Sequence, residues 1–218
     1  MAVIPACSRP TGSATSSPNK NSVDRTGGAG LNPDSRYDSV RKTEQADNVT
    51  SFDCGNTALN QFLQRFALVN QKANSAQTYV CCKHGTNNVV GFYSLAVGSV
   101  EPSAAASRVV KGLARHPVPV MILARLAIDK NHQGTGLGRA LLKDALLRTV
   151  QAASIAGIRA MLVHAKDDSA RNWYINLGFE PSPTDPYHLF LLVKDLVNLS
   201  SFRPEKPLNL CIRTQEEI

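Results

Sequence analysis

The stretch Gln133-Gly134-Thr135-Gly136-Leu137-Gly138-Arg139 decides the fold of this chain. An apolar run, Val118 to Ile128, precedes it, and a leucine-rich segment of helical period, Leu137 to Ala153, follows it. This order predicts a strand, a glycine loop and the first turn of a helix. Glycines let the backbone approach an anion without obstruction by Cβ atoms, and the free N–H groups at the helix start point towards it. The loop is therefore expected to hold a phosphate.

Two common nucleotide-binding motifs fit this loop poorly. A dinucleotide fold would need Gly-x-Gly-x-x-Gly and an acidic residue about 20 residues later. The glycines here stand at alternate positions instead, and the next strand ends in His164-Ala165-Lys166. A P-loop would need Gly-Lys-Ser/Thr, but Gly138 is followed by Arg139-Ala140.

A second signal lies downstream, in the segment Ser169-Ala-Arg-Asn-Trp-Tyr174-Ile-Asn-Leu-Gly178-Phe179. It predicts a helix that a glycine terminates, with Tyr174 one turn before that end. Together the two signals resemble the GNAT acetyltransferases. The family's acetyl-CoA loop, Gln/Arg-x-x-Gly-x-Gly/Ala, is matched by Gln133, Gly136 and Gly138, and its Tyr-x-x-x-Gly-Phe helix end by Tyr174, Gly178 and Phe179.

The resemblance extends to the branch of bacterial toxins that acetylate aminoacyl-tRNA, and it covers roughly residues 41–196. The segments that carry it are Phe52-Asp-Cys-Gly55, Leu59-Asn-Gln-Phe-Leu63, Ala67 to Gln71, Thr78-Tyr-Val80, Val90-Gly-Phe-Tyr-Ser-Leu95 and Leu123-Ala-Arg-Leu-Ala-Ile-Asp129. It implies an α/β GNAT fold, with a mixed, mostly antiparallel central sheet, splayed middle strands and flanking helices.

The resemblance also implies that acetyl-CoA is the co-substrate and that the acetyl group is transferred directly. Backbone groups of Leu126, Ala127 and Ile128 would face the pantetheine arm. The pyrophosphate would be held by N–H groups of Gln133, Gly134, Thr135, Gly136, Leu137, Gly138 and Arg139, with the Arg139 guanidinium able to add a charge-assisted contact. Leu126 and Ile128 are equally ordinary core residues, and Arg139 is equally a surface cation.

Tyr174 is the predicted catalytic residue. CoA leaves as a thiolate, and a thiol has a pKa of about 8.5, whereas a phenol has a pKa of about 10. The phenol therefore stays protonated at neutral pH and can donate to the developing negative sulfur. The alternative is a tyrosine packed with Trp173 against the core. Asn172 is expected either to bond the CoA arm or to be an exposed helix residue.

The acceptor side is less sharply indicated. Arg125 is a cation inside an apolar strand, so it needs a substrate contact or an internal salt bridge. Arg108, Lys111 and Arg115 cluster before Val118 and predict a substrate-side basic patch, with a solvated loop as the alternative. No carboxylate or histidine stands out as a general base.

The remaining segments follow the same order of strands and helices. Leu59 to Val69 repeats at helical spacing and predicts core packing. Gln77 to Cys82 and Val89 to Leu95 predict a hairpin. The segment Ile158 to Ala165 predicts a buried strand. One residue among Asp167, Asp168 and Ser169 is expected to cap the next helix. Phe179 and the segment His188 to Val193 are expected to supply the last strands.

Composition favours one domain in 218 residues, of which 43% are hydrophobic, and a formal charge of +7 favours an anionic partner. We expect residues 1–40 to be a disordered low-complexity extension, 41–198 the acetyltransferase domain, and 199–218 a polar tail. No run is long enough to span a bilayer and the start lacks a signal peptide, so a cytoplasmic protein is expected. The cysteines and histidines lack ligand spacing, which indicates neither disulfides nor a metal.

Three functions remain open. The first is an acetyltransferase toxin that caps the amine of aminoacyl-tRNA, forms a homodimer and is neutralised by a ribbon-helix-helix antitoxin, as the resemblance implies. The second is an acetyltransferase of a protein or small-molecule amine. The third is a non-catalytic acyl-CoA-binding regulatory module, against which Tyr174 argues.

Overall fold

The structure, a computed structural model, describes residues 36–196. The strands are β1 Arg41–Lys42, β2 Gln77–Cys82, β3 Val89–Val100, β4 Val118–Ile128, β5 Ala160–His164, β6 Glu180–Pro181 and β7 His188–Leu192. The helices are α1 Thr57–Gln61, α2 Ala67–Lys72, α3 Ser107–Val110, α4 Leu137–Ala156, α5 Asp168–Ile175 and α6 Val193–Leu196, with a π-helical turn at Phe62–Phe66 and a 3₁₀ turn at Lys130–His132. The structure contains the predicted hairpin, formed by β2 and β3, and the three elements predicted to follow it, β4, α4 and β5.

The strands form one seven-stranded sheet in the order β1-β2-β3-β4-β5-β7-β6. Among the strands of residues 36–196, only β4 and β5 pair in parallel, so the sheet is mixed and mostly antiparallel, as expected. Their pairing runs from Val120 with Ala160 to Leu123 with Val163 and then stops. Because β4 continues to Ile128, its last residues diverge from β5 and leave a gap in the middle of the sheet.

A β-bulge lies where this gap opens. Ser94 pairs with Arg125, but the next residue of β3, Leu95, pairs with Leu123, so Ala124 is an additional residue in β4. A bulge of this kind redirects side chains near functional sites. It places Arg125 on the face opposite that of Leu123, which is also the face of Ala127.

The two faces of the sheet are covered differently. One, the α4 face, has a single continuous core in which Leu126, Ile128 and Val163 pack against α4 and α5. The other, the α3 face, has two separate apolar clusters. One cluster joins α1 and the π-helical turn to Phe92 and Ala127, and the other joins α3 to β4, β5 and β7.

The prediction of core packing for Leu59 to Val69 is only partly right. Leu59, Phe62 and Leu63 are buried, but Phe66 and Val69 are 52% and 59% exposed. The cause is the π-helical turn, in which the Ala67 N–H donates to the Phe62 carbonyl five residues back. The longer turn places Ala67 in the core where a regular helix would have placed Phe66.

The domain's start differs from the prediction as well. Residues 36–40, which were expected to belong to the extension, lie against the sheet. Tyr37 is buried and forms a β-bridge with Lys83. The N–H group of Asp38 donates to the Cys82 carbonyl at 3.0 Å. The predictions for residues 1–35 and 197–218 fall outside the described residues. No helix within residues 36–196 is long and apolar enough to cross a membrane.

Candidate active site

The glycine loop joins β4 to α4 with its backbone exposed to an incoming ligand. Gly134 and Gly136 have φ angles of +74° and +86°, a conformation that glycine adopts at little cost. Gly136 is also the N-cap of α4, and it offers no side chain to bond the N–H groups of the first helical turn. Those N–H groups and the helix dipole therefore favour an anion at this point.

The side chains of this loop are occupied in holding its shape. The Gln133 amide donates to the Ile128 carbonyl at 3.0 Å and to the Cys54 carbonyl at 3.3 Å. The Thr135 hydroxyl donates to the His132 carbonyl at 2.7 Å and accepts from the Tyr37 hydroxyl at 3.3 Å. The loop thus offers its backbone to a ligand, while the side chains of Gln133 and Thr135 fix the backbone in place.

The three residues predicted to face pantetheine line the gap. All are buried; Leu126 and Ile128 pack on the α4 face, and Ala127 packs on the α3 face. The Asp129 N–H donates to the Val90 carbonyl at 2.9 Å. Polar backbone groups alternate sides along an antiparallel strand, so those of Ala127 point towards β3, whereas those of Leu126 point away from β3, towards the gap. An extended arm lying in the gap would meet them as a strand would.

Tyr174 is fully buried on the α5 helix, in the core of the α4 face that also contains Leu126 and Val163. Asp167 caps α5 by accepting from the Ala170 N–H at 2.8 Å, as predicted for one of three residues. The Tyr174 ring makes edge contacts with Trp173 and Phe179, with centroids 4.9 Å and 5.2 Å away. These contacts fix the direction of the phenol.

The Tyr174 hydroxyl has no hydrogen-bond partner among the described residues. Leaving a buried polar group unsatisfied costs about 1–3 kcal/mol, so the arrangement points to a partner supplied by a ligand. Burial raises the pKa of the phenol far above its usual range, which keeps it protonated at neutral pH. The residue fits a thioester or thiol at the gap, and its packing with Trp173 is compatible with that role.

Two other residues predicted to contact acetyl-CoA lie at the surface. Asn172 is exposed, and its side chain accepts a long, 3.5 Å hydrogen bond from Arg171. Arg139 is exposed in the first turn of α4, and no ion pair to it is found within residues 36–196. Both are free to contact a ligand, and both contacts remain predictions.

Arg125 is half-buried, and its guanidinium carbon lies 3.7 Å from the centroid of the Phe62 ring. This cation–π contact replaces the internal salt bridge that was one alternative, because no carboxylate pairs with Arg125 in the described part of the chain. Burial lowers the pKa of the guanidinium below its ordinary value. Sequence reasoning treated Phe62 as core alone and missed this contact.

The predicted basic patch is weaker than its sequence suggests. Arg108, on α3, forms ion pairs with Glu180 and with Asp195, the latter at 2.9 Å. Its charge is therefore largely balanced within the protein. Lys111 and Arg115 are exposed and have no ion pair within residues 36–196, so their charges remain available to an anionic partner.

The cysteines of the described residues are structural. Cys81 belongs to the core of the α4 face and Cys82 to a cluster of the α3 face, as predicted for adjacent residues on a strand. Burial raises the pKa of the Cys81 thiol to about 12, which keeps it unreactive. Across residues 36–196, no group of three His, Cys, Asp or Glu side chains could hold a metal ion.

Comparisons with known proteins agree with this geometry. Residues 74–181 match the profile of the acetyltransferase (GNAT) domain. A protein of Mycobacterium tuberculosis called tRNA-acetylating toxin is 48% identical over 161 residues, which cover 74% of this chain and 95% of that protein.

Two solved structures show the same fold. AtaT complexed with acetyl-methionyl-tRNAfMet is 28% identical, with a TM-score of 0.69 over 74% of this chain and 98% of that one. A mutant AtaT toxin bound to the C-terminus of the antitoxin AtaR is 26% identical, with a TM-score of 0.65 over 76% of this chain and 99% of the other.

Proposed function

The chain belongs to the GNAT acetyltransferase family, and on that premise we propose that it acetylates the amino group of aminoacyl-tRNA. The donor is acetyl-CoA. An acetylated amine no longer attacks a peptidyl ester, so the product blocks translation and the protein acts as a toxin. The observation that carries the proposal is the buried Tyr174 phenol, which has no partner among the described residues and packs in one core cluster with Leu126 and Val163, the residues that border the gap.

The donor half of the reaction follows from the backbone. N–H groups between Gln133 and Arg139 hold the pyrophosphate, and the edge of β4 at Leu126 to Ile128 holds the pantetheine arm. The thioester then lies in the gap between β4 and β5. This placement rests on the positive φ angles of Gly134 and Gly136 and on the early end of the β4–β5 pairing.

The chemistry is one acyl transfer. The lone pair of the acceptor nitrogen attacks the thioester carbonyl carbon, a C–N bond forms, and the C–S bond breaks. The Tyr174 phenol donates a hydrogen bond to the sulfur as negative charge develops there. The reaction as a whole moves one proton from nitrogen to sulfur, and its products are an N-acetyl amide and free CoA.

The acceptor half uses side chains of the α3 face. Arg125 offers a partly desolvated cation to the aminoacyl end of the tRNA, and Lys111 and Arg115 offer exposed charges to its phosphates. Arg108 contributes less, because its ion pairs with Glu180 and Asp195 already balance its charge.

A toxin of this kind requires a neutralising partner. We expect a small ribbon-helix-helix antitoxin, since the similar AtaT toxin is bound by the C-terminus of an antitoxin, and we expect the enzyme to be a homodimer in the cytoplasm. Light scattering of the protein, alone and co-expressed with the product of a neighbouring short gene, measures both assemblies.

The test is an assay of the acetylated product. The protein is incubated with labelled acetyl-CoA and a pool of charged tRNA, and nuclease digestion then releases the modified aminoacyl adenosine. Labelled N-acetylaminoacyl adenosine supports the proposal, and an uncharged tRNA pool serves as the control. Label found only on protein lysines or on free amines would instead favour an acetyltransferase of protein or small-molecule substrates.

A further inference from the structure

The α3 face has a polar break between its two apolar clusters. Along β4, Arg125 lies between Ala127 of one cluster and Ile122 of the other. Along β5 and β7, the clusters end at Leu162 and Phe190, and the next residues on this face are the paired His164 and His188. Ser94 pairs with Arg125 and, through its hydroxyl, lies 2.6 Å from the hydroxyl of Thr78. We name Ser94, Arg125, His164 and His188 the polar break.

His164 is the residue of this set that lies at the opening of the gap. It directly follows Val163, whose pairing with Leu123 is the last between β5 and β4. Its ring stacks on that of His188 with centroids 4.0 Å apart, and Nε2 of His188 lies 3.4 Å from a carboxylate oxygen of Asp185. The stacking holds the His164 imidazole at the end of β5, half-buried and accessible from the α3 face.

His164 and Tyr174 lie on opposite faces of the sheet. Tyr174 packs in the core of the α4 face together with Val163. Successive residues of a strand point to opposite faces, so His164 points to the α3 face. A thioester lying in the gap would therefore have the phenol on one side and the imidazole on the other. That is the arrangement an acyl transfer needs, with a donor at the leaving sulfur and an acceptor at the attacking amine.

We propose that His164 is the base that takes the proton from the acceptor amine. The inference rests on the proposed function, since it deepens the same site. As the C–N bond forms, a nitrogen of the imidazole accepts the N–H proton, and the imidazolium later releases it to solvent. The thiolate of CoA takes up a proton in turn, so the balance of the overall reaction is unchanged.

The surroundings of His164 keep it able to accept a proton. Burial and the neighbouring His188 lower the pKa of His164 below its ordinary value, and Asp185 acts weakly in the opposite direction. The imidazole is therefore neutral at pH 7, and it is lost as a base only when the solution becomes acidic.

The test is chemical rescue in single-turnover acetylation of charged tRNA with saturating acetyl-CoA. His164→Ala removes the base and leaves space for free imidazole. An α-amine has a pKa near about 7.7–8.0 and is already partly neutral, so we expect a loss near the lower end of the range for acid–base catalysis, roughly 10²-fold. Imidazole should restore part of the rate, and substituted imidazoles should restore it in proportion to their basicity.

The controls separate a proton acceptor from a structural histidine. His84→Ala removes an exposed histidine of the β2–β3 turn, whose imidazole pairs with Asp38. This change should alter neither the rate of transfer nor its response to imidazole. Acetyl-CoA affinity should be unchanged in His164→Ala. His164→Gln, which is polar but takes up no proton, should show the same loss without the cavity that permits rescue.

Two results would overturn the role of His164: an unchanged rate in both His164 variants, or a loss that imidazole does not restore in a His164→Ala protein with normal acetyl-CoA affinity. The unaltered protein is measured first. If it transfers no acetyl group to charged tRNA, the proposed function has failed, and that failure is distinct from a failure of the His164 assignment.

Discussion

The proposed donor and acceptor halves of this site are built in different ways. The donor half consists mainly of backbone groups from one continuous stretch, residues 126–139, completed by the single side chain of Tyr174. The centre of the proposed acceptor half consists of side chains brought together from four elements, namely Phe62, Arg125, His164 and His188. Lys111 and Arg115 lie at its surface. A phosphate is recognised by N–H groups whatever the local side chains, whereas an acceptor must be recognised side chain by side chain.

This difference explains why one half could be read from the sequence and the other could not. Backbone recognition requires glycines at fixed spacing, and that requirement leaves a local pattern. Recognition by distant side chains leaves no such pattern, because the pairing of strands decides which of them meet. Substitutions in the two halves should therefore affect different steps, namely acetyl-CoA binding and acetyl transfer in one and tRNA binding in the other. Three such tests are ordered here from the largest expected effect to the smallest.

The largest effect is expected for Tyr174→Phe, the one donor-half change that removes a side-chain function. Loss of the hydroxyl should slow acetyl transfer by roughly 10²- to 10⁴-fold, the usual contribution of acid–base groups. Stability should not fall, since the hydroxyl is buried without a partner among the described residues. Single-turnover rates and thermal unfolding measure the two quantities.

Tyr187→Phe is the matched control for that change. Tyr187 is a partly exposed tyrosine whose hydroxyl, unlike that of Tyr174, already has a protein partner, because it donates to Asp168 at 3.1 Å. Its replacement should leave the rate of transfer unaltered. If Tyr174→Phe also transferred acetyl groups at the normal rate, the phenol would be packing only, and the donor half would be pure backbone.

The elements that the sequence predicted well are those governed by local rules. The strand Val118 to Ile128 has the predicted bounds, and the helix that begins at Leu137 extends only three residues beyond the predicted Ala153. Asp167 caps α5, as its residue type favours. In each case the deciding interaction lies within a few residues of the pattern that indicated it.

The features that the sequence did not predict depend on distant partners or on irregular backbone. Arg108 was expected to face a substrate, but it is paired with Glu180 and Asp195, which are 72 and 87 residues away along the chain. The π-helical turn moved Phe66 out of the core, and the bulge at Ala124 set the direction of Arg125. No periodicity in the sequence marks these changes.

An intermediate effect is expected for Gly136→Val, which tests the backbone of the donor half. A β-branched residue at a φ of +86° is strained, at a cost of about 1–3 kcal/mol. Relief of that strain would move the N–H groups that meet the pyrophosphate, so acetyl-CoA affinity should fall roughly tenfold or more. Calorimetric titration with acetyl-CoA measures the affinity.

Gly138→Ala distinguishes the effect of φ from that of lost space. A Cβ added at Gly138 would lie 3.9 Å from Cγ1 of Ile128, an ordinary contact, and Gly138 is not among the glycines with positive φ. This variant should bind acetyl-CoA normally. If the unaltered protein, Gly136→Val and Gly138→Ala bound acetyl-CoA with equal affinity, the pyrophosphate would have to be bound elsewhere, and the proposed donor half would be wrong.

The smallest effect is expected at the surface of the acceptor half, from Lys111→Ala combined with Arg115→Ala. Binding of tRNA should weaken as salt rises, with a log–log slope of about −0.7 to −0.9 for each phosphate neutralised. Removing two exposed cations should therefore flatten the slope by less than about 2 units and leave acetyl-CoA affinity unchanged.

Arg108→Ala should flatten the slope less than either single change, because the Arg108 charge is balanced by Glu180 and Asp195. Filter-binding titrations with charged tRNA at several salt concentrations measure the slopes, and a larger change for Arg108 than for Lys111 or Arg115 would mean that its ion pairs open when tRNA binds.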